Sequence, residues 1–153
     1  PRVLHDVIDI VSDLDFQAVV VTTTILAEEV TRHADRVLLV PHVPAHLVNP
    51  LADIALTHGG AGTVQTAIHA GTPLVGVPMH LEQAGNISLV ARQGAGIMMS
   101  RPDLTRRKLG SALEKLVTDS SLPANMQRLR GLQDSEDGAQ NAASEIIRYL
   151  AGD

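Results

Sequence analysis

One stretch, Ala-Asp-Ile-Ala-Leu-Thr-His-Gly-Gly-Ala-Gly-Thr-Val-Gln-Thr-Ala over residues 52–67, narrows the choice of fold more than any other. An apolar run, Asp53–Thr57, stops at a polar loop of six residues, and the pattern then turns to a helical period. Gly71 closes that period in the position glycine favours after a helix, and a second apolar run, Pro73–Val77, follows at once. A strand, a helix and a strand joined this tightly read as a βαβ unit, which places the two strands in parallel. The three loop glycines let the backbone approach a ligand closely or adopt φ > 0 without a Cβ penalty. The helix that follows presents free N–H groups and the positive end of its dipole, a setting that suits phosphate. His58 adds a side-chain donor at the same spot, so a diphosphate-bearing ligand is the natural inference.

The rest of the chain repeats the alternation. Leu4, Val7, Ile8, Val11 and Leu14 keep a helical period, and Gln17–Thr22 is a β-branched run of the kind expected in a parallel strand covered on both faces. A helix over Ile25–His33, a strand over Arg36–Val40 and a short helix at Ala45–Asn49 come before the βαβ unit. After it come a helix over Glu82–Gln93 ended by Gly94, a strand over Gly96–Met99, and a helix from Leu104 to Asp119 capped by Asp103. A last helical segment, Pro123–Leu150, is expected to break near Gly131 and at Asp137-Gly138. This alternation predicts an α/β, Rossmann-like parallel sheet with helices on both faces. In such a sheet ligands bind at the carboxyl ends of the strands. The unusual residues gather there: Thr22–Thr24, Pro41–Pro44, Thr57–Thr63 and Pro78–Asn86 all follow strands.

Composition removes several classes of function. The net charge is −5, and Arg106-Arg107-Lys108 has no aromatic partners, so it reads as a solvated helix face and no nucleic acid is expected. With no cysteine there is neither a disulfide framework nor a thiolate metal site. His42, His46, His69 and His80 show no clustered ligand spacing, so no metal is expected. No apolar run approaches the ~20 residues of a membrane span, and the opening is not that of a signal peptide. A single cytoplasmic domain over residues 1–153 is expected, with an aliphatic core, since Phe16 and Tyr149 are the only aromatic residues.

Between Val40 and Gly96 the motifs Val-Pro-His-Val-Pro, Thr-His-Gly-Gly-Ala-Gly-Thr, Ala-Gly-Thr-Pro-Leu-Val-Gly-Val-Pro, Glu-Gln-x-x-Asn and Gly-Ala-Gly follow one another. In this order the chain resembles the C-terminal, donor-binding half of a GT-B glycosyltransferase. The relatives implied are the UDP-glycosyltransferase-like family that includes bacterial antibiotic glycosyltransferases. The resemblance implies a dTDP- or UDP-sugar donor whose sugar passes to a small-molecule acceptor hydroxyl; the nucleotide sugar is a substrate, so no cofactor is implied. It assigns His58, Gly60, Gly62 and Thr63 to the donor diphosphate and Glu82-Gln83 to the sugar hydroxyls, with Asn86 a further candidate. His42 takes the place of an aromatic that stacks on the base, the backbone of Val43 reads the base edge, and Thr66 lies beside the ribose.

Departures from the family pattern refine this. Relatives that use UDP-sugars commonly carry Glu where this chain has Thr66, and often Gln where it has Ala45. A ribose 2′-hydroxyl left unpaired costs about 1–3 kcal/mol, whereas a deoxyribose has none, so Thr66 favours a dTDP-sugar. The family's domain opens with a strand and a Gly/Ser/Thr-rich loop, while Pro1-Arg-Val-Leu leads straight into a helix. A fragment is therefore expected, with the acceptor domain and its general base outside it, that binds nucleotide weakly and does not transfer sugar alone. The implied chemistry is an inverting displacement in which this half stabilises the departing nucleoside diphosphate. Homo-oligomerisation stays open.

Other readings compete. Taken singly, His58 could cap a helix, and Thr63, Glu82, Gln83 and Asn86 could be ordinary helix residues. Gly60-x-Gly62 also begins the G-x-G-x-x-G of a nicotinamide-dinucleotide domain, but Gln65 replaces the third glycine and Glu82 starts a helix where that motif ends a strand. A non-catalytic module of the same fold is the remaining alternative.

Overall fold

The computed structural model describes residues 2–22, 35–134 and 137–151 of the chain. Helix α1 spans Arg2–Ser12 and leads to strand β1, Ala18–Val21. Strand β2, Val37–Val40, runs parallel to β1, with Ala18 opposite Val37 and Val21 opposite Val40. Short helix α2, Ala45–Val48, and a 3₁₀ turn at Asn49–Leu51 precede β3, Ala55–Thr57. The βαβ unit then forms as the sequence implies: α3 is Ala61–Ala70, Gly71 ends it at φ +75°, and β4 is Leu74–Gly76. Helix α4, Leu81–Arg92, and strand β5, Gly96–Met98, repeat the step. Helices α5 (Arg106–Thr118), α6 (Ser121–Asp134) and α7 (Gly138–Ala151) complete the described elements.

The parallel strands form two sheets, β1-β2 and β3-β4-β5, with β4 central in the second. Alternation along β4 feeds two cores. Leu74 points into one made with Val64 and Ala67 of α3, Ile87 and Val90 of α4, and Met126 of α6. Val75 points into the other, with Val7 and Val11 of α1 and Leu109, Leu113 and Leu116 of α5. Burial on both faces explains why this strand is a continuous apolar run. Ala18 of β1 and Ile54, just before β3, pack on that second core, so both sheets share it. Among the described residues β1 and β3 do not pair.

Three local expectations need correction. The run at 17–22 is not covered on both faces, since Val19 and Val21 are each about half exposed and Leu38 beside them is 60% exposed. Among the described residues, the buried cluster meets this strand at Ala18. Second, Asp103 does not cap α5. Pro102 starts a 3₁₀ turn over Arg101–Asp103, which delays the helix, and Thr105 caps it by accepting from the Lys108 N–H at 3.3 Å. Third, Gly131 lies inside α6 with no break there, whereas the expectation at Asp137-Gly138 agrees with the start of α7, where Asp137 Oδ1 accepts from the Gln140 N–H at 2.9 Å. The helix expected at Ile25–His33, and Thr23 and Thr24, lie outside the described residues. Among the described residues no helix is long and apolar enough to cross a membrane.

Candidate functional site

The loop between β3 and α3 is fixed by its neighbours as well as by its own sequence. Gly59 is the loop glycine that adopts positive φ, at +93°. Its N–H donates to Thr57 Oγ1 at 3.1 Å and its carbonyl accepts from Asn86 Nδ2 at 3.0 Å. A Cβ there would fall 2.4 Å from Ile87 Cδ1 and 2.9 Å from the Gln83 carbonyl oxygen, so the loop rests directly on α4. Gly60 has an ordinary φ of −58°, but a Cβ on it would lie 2.9 Å from His58 Nε2. Its missing side chain leaves room for the exposed imidazole beside the N-cap of α3. A Cβ on Gly62 would meet open space, so neither backbone strain nor a neighbouring side chain requires this glycine.

The first intrahelical hydrogen bond of α3 runs from the Val64 N–H to the Gly60 carbonyl at 3.0 Å. The N–H groups of Ala61, Gly62 and Thr63 precede it, and no side chain caps them. Together with His58 they form a cluster of donors at the positive end of a ten-residue helix. That cluster can neutralise an anion through hydrogen bonds.

At the next strand end the two members of the Glu82-Gln83 pair diverge. Gln83 is buried, and its Oε1 accepts from the Met79 N–H at 2.8 Å, holding the turn between β4 and α4. Glu82 is exposed, its Oε1 accepting from Asn86 Nδ2 at 2.6 Å and its Oε2 lying 3.8 Å from His80 Nδ1. Of the two, Glu82 is the one presented to solvent.

His42 is exposed and Val43 half-buried in the loop that leaves β2 for α2, and α2 packs on α3. Thr66, one turn into α3, donates its hydroxyl to the Gly62 carbonyl at 2.7 Å, so the side chain folds back onto its own helix. Sequence reasoning missed Gly59 as the fixed point of the loop and the inward turn of Gln83. The Gly59-Gly60 pair carried a trace of the first; the second is a local contact, four positions back to the Met79 N–H just before the helix. A hollow of about 750 Å³ between α5 and the turn before β1, lined by Leu14, Phe16, Arg106 and Gly110 among others, contains none of these residues.

A Rossmann-like arrangement with a donor cluster after its third strand is the fold of the C-terminal half of GT-B glycosyltransferases. The chain matches the family described as "Erythromycin biosynthesis protein CIII-like, C-terminal domain" over residues 5–151, and it belongs to that family. It is 29% identical over 108 residues to the NDP-glycosyltransferase YjiC of Bacillus subtilis (strain 168), covering 71% of this chain and 28% of that protein. It is 36% identical over 83 residues to the UDP-glucuronosyltransferase 2A3 of Homo sapiens, covering 54% of this chain and 16% of that protein. The crystal structure of glycosyltransferase VinC in complex with dTDP superposes with a TM-score of 0.80 at 28% identity, over 95% of this chain and 37% of VinC. The chain thus spans well under half of each relative, and it corresponds to the C-terminal domain of such enzymes.

Proposed function

We propose that this domain holds the nucleoside diphosphate of a sugar donor in an inverting glycosyltransferase whose acceptor is a small natural product. The observation that carries the reading is the set of N–H groups at Ala61–Thr63, with His58 Nε2 beside Gly60 at the helix N-cap, on a loop fixed from both sides. His58, Gly60, Gly62 and Thr63 face the diphosphate, Glu82 the sugar, and His42, Val43 and Thr66 the nucleoside. Gln83 serves the sugar subsite through the turn it holds, with its amide nitrogen the part left for a ligand.

In the reaction a base in the acceptor domain removes the proton from the acceptor hydroxyl, and that oxygen attacks the anomeric carbon. The bond from this carbon to the diphosphate breaks, and its electron pair leaves on the phosphate oxygen. Charge therefore grows where the donors of α3 already point, so they need little reorganisation at the moment of reaction. The family description, which names erythromycin biosynthesis, supports a natural-product acceptor. A cytoplasmic setting is part of the proposal, since a chain without cysteine has no disulfides that require an oxidising compartment.

A dTDP-sugar is favoured over a UDP-sugar. The Thr66 side chain is short and its hydroxyl proton is committed to the Gly62 carbonyl, which supports a sugar ring that brings no 2′-hydroxyl. Calorimetric titration of the parent protein with dTDP and with UDP tests this. Tighter binding of dTDP is expected; a clear preference for UDP removes the thymidine assignment and leaves the diphosphate site intact.

A further inference from the structure

We propose that Asn86 is a positioning residue that ties the diphosphate loop to the sugar-facing carboxylate; this rests on the donor-site reading above. Its Nδ2 carries two hydrogens, and both are used, one on the Gly59 carbonyl at 3.0 Å and one on Glu82 Oε1 at 2.6 Å. The two acceptors belong to different strand ends. Gly59 follows β3 and Glu82 follows β4, and Asn86 meets Glu82 because residues four apart share a helix face.

At the loop end, Gly59 is immobilised by Thr57 Oγ1, by its contact with Ile87 and by its own φ of +93°. At the other end, Glu82 is an exposed, long side chain that would otherwise sample many rotamers. A single amide group thus transmits the fixed position of the loop to a mobile carboxylate. It sets the separation between the phosphate donors and the group that faces the sugar. Because both N–H bonds are committed, Asn86 keeps only its Oδ1 for a ligand, and its main action passes through Glu82.

The test is a binding cycle on the parent protein without acceptor, using dTDP and dTDP-glucose, or UDP and UDP-glucose if uridine is held more tightly. The ratio of the two dissociation constants isolates the sugar contribution. Asn86→Ala is expected to reduce the advantage of the sugar nucleotide about tenfold, the size of one hydrogen bond to a charged group. Glu82→Ala is expected to reduce it at least as much, and Asn86→Ala added to Glu82→Ala to change the ratio no further. A ratio that falls in Glu82→Ala but not in Asn86→Ala, or losses that multiply in the double variant, overturns the role of Asn86 alone. A wild-type ratio of one, or a ratio unmoved by Glu82→Ala, contradicts the donor-sugar reading, and the proposal falls with it.

Discussion

The two sheets of this domain are built to different standards. In β3-β4-β5 the central strand is buried on both faces: Leu74 and Val75 are fully enclosed, and Ile87 packs so closely that Gly76 has no room for a Cβ. In β1-β2, among the described residues, only one face is backed by a buried cluster, and Val19, Val21 and Leu38 are exposed. The difference separates two jobs. The donors of α3 and the carboxylate of Glu82 stand on the enclosed sheet, where packing can hold a ligand-binding geometry to a fraction of an ångström. Among the described residues, the other sheet contributes His42 and Val43, through the loop after β2, and these are proposed to meet the base.

The contrast breaks most visibly under truncation. Leu74→Ala is expected to lower stability by about 2–5 kcal/mol, the cost of a cavity at a closed site. Val19→Ala, in the half-exposed ribbon, is expected to cost under about 1 kcal/mol. Urea unfolding of the parent protein checks both; equal losses would show that the two sheets are equally enclosed in the intact molecule.

The next effect concerns the ligand. His58→Ala should leave the unfolding midpoint near that of the wild type and reduce turnover with a nucleotide sugar about 10²–10³-fold, the scale of one donor lost from a developing anion. Steady-state kinetics read this directly, and an unchanged turnover would return His58 to the role of a loop residue.

Smaller effects sharpen the account of α5. Thr105→Ala should cost about 1 kcal/mol, the usual size of a lost N-cap, whereas Asp103→Ala should leave the helix start in place. Hydrogen exchange at the Lys108 amide separates the two.

Asp103 offers the smallest effect. Hydrogen bonds from Lys108 and then Ser100 hold its carboxyl below the usual aspartate value. Its folded-state pKa is therefore lower than its unfolded one. The stabilisation is present above the unfolded value and is lost as pH falls through the folded value. Asp103→Asn should remove only that acid-side slope, visible as a flatter decline in melting temperature at low pH.

Much of this was legible in the sequence because the signals were local. The glycines at 71 and 94 ended their helices at positive φ, and the loop at 58–63 came out at the start of α3, as the βαβ pattern required. What stayed hidden depended on contacts between distant segments. Gly59 is held by Asn86 and Ile87, 27 and 28 positions away in sequence. The inward turn of Gln83 is a local exception, since the Met79 N–H it accepts from lies four positions before it. The cap at Thr105 was missed for another reason: Asp103 is an equally good capping residue by type, and only the 3₁₀ turn at Pro102 decides between them. The exposure of Val19 and Val21 was illegible because a run of valines looks the same whether its side chains are buried or open.

The central claim is that the diphosphate of a nucleotide sugar rests on the first turn of α3. Hydrogen exchange of the parent protein, followed by mass spectrometry with and without dTDP, tests it most directly. Protection centred on residues 58–66 is the expected result, with little change in the segment 106–118 that lines the hollow beside α5. Protection confined to 106–118, or none at 58–66 at saturating dTDP, would contradict it.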